Sequence, residues 1–340
     1  MSFFDRRRGV ALSLVLLAAV LGGCSTGGAT TSLSAPPSAS PSASVALASP
    51  TPTEAPPFPV TLTDDEGTSV AVPAEPEKIV SLTPATTETL FALGAGDRVV
   101  ASDDGSDYPT EAAALPHVAT FSSVDVEKVV ALEPDLVLAG GLGFTPADAI
   151  TRLRDLDIPV VVVYAPSVDG VLNDIELIGS ATGTTVAATT LTSQMRADMG
   201  AVSDAVSSQS PKPRVFYDVG YDDTTGAIYA PAADSFLAEM VSMAGGDVIT
   251  TGDPNTYELP LETLIDKDPQ LIILGTNPFY SPTPESVAAR RGWDALSAVR
   301  NDAIRPVRDI EITRPGPRLP IGLRTLAAAI WPDVTLPAES

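Results

Sequence analysis

The sequence contains one short pattern twice, and this repeat limits the folds that the chain can adopt more than any other feature. Residues 126–140 are VEKVVALEPDLVLAG, and residues 261–275 are LETLIDKDPQLIILG. In both copies apolar residues recur at helical spacing, a proline ends the helix, and a continuous apolar run predicts a buried strand that closes at a glycine. The chain is therefore predicted to build two similar α/β lobes. The shared positions are Glu127, Pro134 and Gly140 in the first copy, and Glu262, Pro269 and Gly275 in the second.

The rest of the chain after residue 57 also alternates between strand and helix signals. The sequence predicts a hairpin over residues 60–72, a helix that starts at Pro84 with Thr83 as its N-cap, and a continuous apolar strand over residues 159–164. Residues 167–208 have helical periodicity and little strand signal. We expect an α/β fold of two Rossmann-like lobes joined by a long rigid helix, with a ligand cleft between the lobes at the carboxyl ends of the strands.

The N-terminus has the layout of a bacterial export signal. Arg6, Arg7 and Arg8 precede an apolar run over residues 10–21, which is too short to span a bilayer comfortably. The run ends in LGGC, which resembles the lipobox of bacterial lipoproteins. This resemblance implies that Cys24 is lipidated and becomes the mature N-terminus, so that the protein is anchored to the outer face of a membrane without spanning it.

Composition separates the export signal from the folded part. Residues 25–57 are rich in Ser, Thr, Ala and Pro and carry almost no charge, so they cannot bury enough surface to fold by themselves. The predicted segments are a lipoprotein signal peptide (1–23), a disordered Ser/Pro/Ala tether (24–57), an N-terminal lobe (58–166), a helical connector that includes the backbone helix (167–210) and a C-terminal lobe (211–340).

Charge and residue counts exclude several classes of protein. The formal net charge is −23, and no basic stripe that could neutralise nucleic-acid phosphates is visible. The chain has one cysteine and one histidine, His117, so a cysteine-based zinc cluster is impossible. No G-x-S-x-G pattern surrounds a serine, and a dinucleotide fingerprint is missing. We expect a protein that is not an enzyme and holds neither a cofactor nor a metal ion of its own.

Several segments in order resemble one family of binding proteins. KIVSLTPATTETLFALGAGDRVV, SDYP, VEKVVALEPDLVLA, SFLAEMVSMAGGDVI, LETLIDKDPQLIILG and RPGPR are similar to segments of the cobalamin and iron-siderophore family of periplasmic substrate-binding proteins of ABC importers. The resemblance covers residues 58–332. It implies a class III periplasmic-binding-protein fold, a monomer, and a metal chelate that is held between the lobes and delivered to a two-fold membrane permease.

The same resemblance implies a glutamate on each lobe that docks onto arginines of the permease. By position these are Glu88 in TETLFALG and Glu239 in SFLAEMVSMAGG. Glu88 falls opposite Phe91 on its helix, so we expect it to be exposed. The recurring Glu127 and Glu262 are instead expected to be charges favoured by the dipole at helix N-termini, and not the docking pair.

The candidate ligand contacts follow predicted strands. Aromatic rings suit a large flat ligand because they bury much area at low entropic cost. Tyr108 and Phe121 match aromatic positions of the corrinoid-binding relatives. Arg314 and Arg318 are expected to pair either with acidic groups of the ligand or with the protein's own acidic surface. The full set is Thr83, Tyr108, Phe121, Leu142, Phe144, Tyr217, Tyr221, Asn277, Phe279, Tyr280, Arg314 and Arg318.

The sequence does not identify the ligand. A corrinoid and a ferric siderophore both suit an aromatic cleft with a few arginines. Two alternatives remain: a haem-binding protein of the same family, and a non-transport sensor or scaffold lipoprotein. Trp293 and Trp331 lie in late helical segments and outside the recognised ligand motifs, which weakens the assignment to corrinoids.

Overall fold

The computed structural model describes residues 58–141, 143–277 and 280–338. The predicted signal peptide, the tether and Cys24 lie outside the described residues, as do Leu142 and Phe279. Among the described helices, none combines the length and the apolar character needed to cross a membrane.

The first lobe is built on a six-stranded sheet. The sheet has the order β6-β5-β4-β3-β7-β8, and only β6 runs antiparallel to its neighbour. A separate hairpin, β1–β2, precedes it. The strands are β1 (Val60–Thr63), β2 (Ser69–Val72), β3 (Ile79–Ser81), β4 (Val99–Asp103), β5 (His117–Thr120), β6 (Ser123–Val124), β7 (Leu136–Gly140) and β8 (Val160–Val163). The helices are α1 (Pro84–Ala92), α2 (Val126–Ala131) and α3 (Ala147–Arg154).

The turn of the β1–β2 hairpin lies against the outer side of β8. The backbone N–H of Asp65 donates to the Val162 carbonyl at 3.1 Å, and the Val162 N–H donates to Asp64 Oδ2 at 3.3 Å. Arg154 Nη2 donates to the same Asp64 oxygen at 2.6 Å. The fully buried Asp64 carboxylate is therefore compensated by an arginine of α3 while it fixes the hairpin to the sheet.

Two helices connect the first sheet to the second along the chain. They are α4 (Val168–Thr182) and α5 (Thr185–Val206). Gly183 ends α4 in the left-handed conformation, with φ of 74°, so the predicted long connection is a pair of helices with a turn between them. Their buried residues belong to one core that also contains residues of both sheets, among them Leu136, Ile175, Met195 and Leu271.

The second lobe is built on a smaller sheet of four parallel strands in the order β12-β9-β13-β14. A short hairpin, β10–β11, lies beside it. The strands are β9 (Arg214–Asp218), β10 (Gly220–Tyr221), β11 (Ile228–Tyr229), β12 (Asp247–Val248), β13 (Leu271–Thr276) and β14 (Ile304–Arg308). The helices are α6 (Phe236–Met243), α7 (Leu261–Lys267), α8 (Pro284–Ala288), α9 (Ser297–Arg300), α10 (Ile310–Thr313) and α11 (Leu319–Ile330).

The repeated pattern forms the same unit in each lobe. The first copy is α2 followed by the fully buried β7, and the second is α7 followed by β13. The similarity extends to the backbone, because the residue before each proline has positive φ: 49° at Glu133 and 42° at Asp268. The prediction of one α/β unit per lobe from this repeat is confirmed.

Candidate functional site

The carboxyl ends of the two sheets face each other. The loop after β4 contains Asp107, which accepts a hydrogen bond from Arg314 of the second lobe at 2.9 Å. Tyr164, directly after β8, makes a hydroxyl contact with Tyr257 of the second lobe. Ligands of open α/β sheets bind outside the carboxyl ends of the strands, so the region between these edges is the candidate ligand site.

Three aromatic rings of the first lobe form an aromatic platform, which we define as Phe121, Phe144 and Tyr164. The Phe121 and Phe144 ring centroids lie 6.3 Å apart in an edge-to-face arrangement, and those of Phe144 and Tyr164 lie 6.2 Å apart. Phe121 is 75% exposed and Phe144 is 49% exposed. Large apolar side chains that remain this exposed next to one another indicate a contact surface.

The glycine after β7 lets Phe144 reach this position. A Cβ on Gly140 would lie 2.9 Å from the Phe144 Cβ and 2.8 Å from Thr83 Cγ2, so a larger residue would push the loop away from the sheet. Tyr164 was not among the predicted contacts. Its signal was present, because it is the last residue of the apolar strand 159–164 predicted from the sequence and so stands at a carboxyl end.

Tyr108 lies at the same edge, beside the arginines of the second lobe. Its side chain is 47% exposed, and the Arg318 guanidinium carbon lies 4.3 Å from the centre of its ring. This is the geometry of a cation–π contact. Arg318 therefore occupies one part of the Tyr108 surface, and half of the side chain remains available to a ligand.

Glu88 is buried, so its predicted exposure is wrong. Its side chain is 3% exposed and accepts hydrogen bonds from both second-lobe arginines: Arg314 Nη1 at 2.5 Å, and Arg318 Nε and Nη2 at 2.8 and 2.6 Å. Arg318 Nη1 also donates to Glu311 Oε1 at 2.9 Å. The arginines thus pair with carboxylates of the protein itself, which was the second of the two expectations for them.

The reason for this error lies in the packing of α1. The face opposite Phe91 was expected to meet water, but it meets the second lobe, and Thr86 to Leu90 are all buried. Helix amphipathicity distinguishes a polar face from an apolar one, and a polar face can be buried when another lobe supplies its partners. Thr83, a predicted ligand contact, is also buried, and its hydroxyl caps α1 by accepting from the Thr86 N–H.

Glu239, the other predicted docking residue, contacts the connector. It is half-buried, and its Oε2 accepts the backbone N–H of Val168 at 2.7 Å. Val168 is the first residue of α4, so this carboxylate compensates the positive end of the helix dipole. Glu239 therefore ties the second lobe to the start of the connector.

The second lobe contains a set of hydrogen-bonded polar side chains, which we call the polar cluster: Asp218, Tyr280 and Arg290. Asp218 Oδ2 accepts from Arg290 Nη1 at 2.9 Å and from the Tyr280 hydroxyl at 3.1 Å. Burial raises the pKa of Asp218, while Arg290 and Tyr280 lower it. Burial, together with the charge of Asp218, raises the pKa of Tyr280 to about 12. The sequence did not single out Asp218 or Arg290, which are 72 residues apart.

Two aromatic rings of the second lobe pack against the arginine of this cluster. The Arg290 guanidinium carbon lies 4.2 Å from the Tyr221 ring centre and 4.6 Å from that of Trp293. Tyr217 is fully buried in β9, which contradicts its prediction as a cleft contact, and burial raises its pKa well above the usual value. Side chains alternate between the two faces of a strand, so Tyr217 packs into the core and its neighbour Asp218 points to the other side.

Asn277 and Asp309 follow the central and edge strands of the second sheet. Asn277 Nδ2 donates to Asp309 Oδ2 at 3.3 Å, and burial raises the pKa of Asp309.

His117 is exposed at the first residue of β5, which is the amino end of that strand and lies away from the cleft edge. Across the described ranges, no three His, Cys, Asp or Glu side chains are grouped so that they could hold a metal ion.

Comparison with known proteins agrees with this architecture. Residues 79–309 match the model of a family described as periplasmic binding protein. The chain is 34% identical over 280 residues to the uncharacterized ABC transporter substrate-binding lipoprotein YvrC of Bacillus subtilis (strain 168), and the alignment covers 81% of this chain and 87% of that protein.

Two further proteins have names that describe a ligand. The chain is 34% identical over 228 residues to the cobalamin-binding protein of Halobacterium salinarum (strain ATCC 29341 / DSM 671 / R1), an alignment of 65% of this chain and 59% of that protein. The crystal structure of the periplasmic vitamin B12-binding protein BtuF of Vibrio cholerae matches with a TM-score of 0.64 and 25% identity, over 75% of this chain and 97% of that chain.

Proposed function

Because this chain belongs to the periplasmic-binding-protein family, we propose that it captures a corrinoid outside the cytoplasm and delivers it to the permease of an ABC importer. The fold is that of the class III periplasmic binding proteins, and the family supplies the substrate-binding components of such importers. The corrinoid and the delivery step are our proposal. A lipid on Cys24 would hold the protein at the membrane, as the LGGC motif implies.

The aromatic platform is the observation that carries this proposal. A corrin macrocycle is large, flat and rimmed by polar groups, so it can lie on adjacent exposed rings while its edge meets polar side chains. Phe121 and Phe144 supply the exposed rings, and Asp309 and Asn277 stand on the opposite lobe. Relatives whose names describe cobalamin or vitamin B12 binding support a corrinoid as the ligand.

Ligand titration tests the proposal directly. Trp and Tyr fluorescence would be recorded while the protein is titrated with cyanocobalamin, haem and a ferric hydroxamate siderophore in separate experiments. We expect saturable quenching by cyanocobalamin with a dissociation constant in about the micromolar range or tighter. Tighter binding of haem or of the siderophore would identify that molecule, and not a corrinoid, as the ligand. Absence of binding for all three would favour a sensor or scaffold role.

For delivery, we propose that Glu127 and Glu262 replace Glu88 and Glu239 as the docking pair. Both are exposed in the first turn of equivalent helices, one on each lobe. Helices α2 and α7 directly precede β7 and β13, and a helix that crosses over to a parallel strand runs back from the carboxyl edge of the sheet, so we expect their N-termini on the cleft side. Two exposed charges at equivalent positions suit a two-fold partner, and such charges steer association.

Charge reversal tests the docking pair separately from ligand binding. We expect the double variant Glu127→Arg/Glu262→Arg to bind cyanocobalamin as the unchanged protein does, and to reduce permease-dependent uptake by at least about tenfold, because like charges repel the arginines of the permease. Glu111→Arg reverses another exposed glutamate of the first lobe and is the matched control. Normal uptake in the double variant would exclude docking through these two residues.

A further inference from the structure

The loop after β4 is fastened to its own lobe by buried hydrogen bonds. Ser106 Oγ contacts both Thr87 Oγ1, at 2.8 Å, and Asp103 Oδ1. Asp103 Oδ2 also accepts the Gly105 N–H at 2.9 Å. Asp103, Ser106 and Thr87 are all buried, so this end of the loop is held by groups that have little access to water. The next two residues, Asp107 and Tyr108, extend out of this anchor toward the second lobe.

The same loop is fastened to the second lobe by two arginines. Arg314 Nη1 donates to Asp107 Oδ1 at 2.9 Å, and the Arg318 guanidinium lies over the Tyr108 ring. Arg314 Nη2 also reaches the Gly105 carbonyl at 3.5 Å. The position of Tyr108 therefore depends on where the second lobe places its arginines.

Glu88 is the centre of these contacts. Three N–H groups from Arg314 and Arg318 reach its two carboxylate oxygens at 2.5 to 2.8 Å, and the pair of bonds from Arg318 has the bidentate geometry that makes such contacts strong. A carboxylate that is 3% exposed needs this compensation. Both arginines belong to the second lobe, so compensation is complete only when the lobes stand at their present separation.

We propose that Glu88, Arg314 and Arg318 form an inter-lobe clasp that fixes the spacing of the two lobes and positions Tyr108 for ligand contact. Its action on ligand affinity rests on the proposed function, whereas its action on lobe spacing does not. The three residues are positioning residues, because they act through Tyr108 and through the separation of the lobes.

Amide hydrogen exchange of the whole protein, followed by mass spectrometry, tests the effect on lobe spacing. Peptides covering residues 101–111 and 310–320 report the two sides of the clasp. We expect Glu88→Gln to accelerate exchange in both peptides by about tenfold or more, because the neutral amide cannot compensate both arginines. Glu111→Gln neutralises an exposed glutamate near the same loop and should leave both peptides unchanged.

A second variant distinguishes loss of the clasp from a general loss of folding. Asp107 is 58% exposed, so Asp107→Asn removes one partner of Arg314 without leaving a buried charge. It should accelerate exchange in the same two peptides, by about two- to threefold. Unchanged exchange in Glu88→Gln would overturn the clasp, and so would acceleration confined to residues 101–111, since Glu88 would then act within its own lobe.

Cyanocobalamin affinity tests the positioning of Tyr108. Glu88→Gln should weaken binding by about tenfold in the unchanged background. In a Tyr108→Ala background it should weaken binding by less than about twofold, because the ring that the clasp positions is absent. An equal loss in both backgrounds would overturn the role of Tyr108. If the unchanged protein does not bind cyanocobalamin, the proposed ligand is wrong, and the exchange experiment still decides whether the clasp exists.

Discussion

The two lobes share one folding unit but present opposite surfaces to the cleft. The first lobe presents the aromatic platform, in which Phe121 and Phe144 are largely exposed. The second presents the polar cluster, in which Asp218 is fully buried and Arg290 is 7% exposed. The repeat therefore determines the frame of each lobe, and the loops after the strands determine its chemistry.

This difference predicts which residues contribute to ligand binding and which contribute to stability. Within the polar cluster, Asp218 Oδ2, Tyr280 and Arg290 hydrogen-bond to one another, and the Arg290 guanidinium lies over the rings of Tyr221 and Trp293. The platform leaves contact area unused. We therefore expect substitutions in the polar cluster to affect stability, and substitutions in the platform to affect binding.

The largest effect is expected for Arg290→Ala. Removing the arginine leaves the Asp218 carboxylate buried without its cation, and breaking such a pair costs about 3–5 kcal/mol of unfolding free energy. Urea denaturation at pH 7 measures this cost. The neighbouring Arg291 is exposed, so Arg291→Ala is the matched control and should change the unfolding free energy by less than about 0.5 kcal/mol. A loss below about 1 kcal/mol for Arg290→Ala would mean that the two lobes do not differ in this way.

The platform should show the reverse pattern. Phe144→Ala removes the central ring of the platform, so we expect cyanocobalamin affinity to fall by about tenfold, while the unfolding free energy changes by less than about 1 kcal/mol. Fluorescence titration and urea denaturation measure the two quantities on the same sample. Leu156 is an equally exposed apolar residue of the first lobe, and Leu156→Ala should leave binding unchanged. If Phe144→Ala lowered stability and spared affinity, the platform would be part of the core.

A smaller effect is expected at Asp174. Its partner is another acid, whereas the partner of Asp218 is an arginine. Asp174 of α4 is hydrogen-bonded to Asp65, and burial together with this neighbour raises its pKa from 3.8 to about 9. The folded protein then binds a proton that the unfolded chain releases above pH 4, so this site lowers stability as pH rises from about 4 to about 9.

Asp174→Asn removes this titration and keeps a donor for Asp65. We expect the thermal midpoint to rise by about 2–4 °C at pH 8 and to change little at pH 4, as measured by circular dichroism. Asp169 lies on the same helix and is exposed, so Asp169→Asn is the control. An equal shift at both pH values would show that the effect does not come from the proton.

Local signals in the sequence predicted most of the fold. The start of α1 follows from Thr83 and Pro84, because caps act within a few residues of the helix end. The repeat predicted a buried strand in each lobe for the same reason, since apolar periodicity and a helix-ending proline are neighbours in sequence. These features need no knowledge of the rest of the chain.

The site depends on contacts that the sequence does not place. Glu88 and Arg314 are 226 residues apart, and a helical pattern shows only that Glu88 lies on a polar face. Tyr217 and Asp218 are adjacent, yet one enters the core and the other the polar cluster. Which face of a strand or helix meets a second lobe is decided by tertiary packing, so the buried ion pairs could not be derived from local pattern.

The hairpin at the start of the first lobe also has a consequence for self-association. Strand β8 is the last strand of its sheet, and an uncovered edge offers free N–H and C=O groups to a strand of another molecule. The turn of the hairpin occupies both groups of Val162, and its Asp65 carboxylate also accepts the N–H of Tyr164. Copies at high local concentration would thus be kept from pairing through this edge, and a chain shortened to begin at residue 75 would lose that protection.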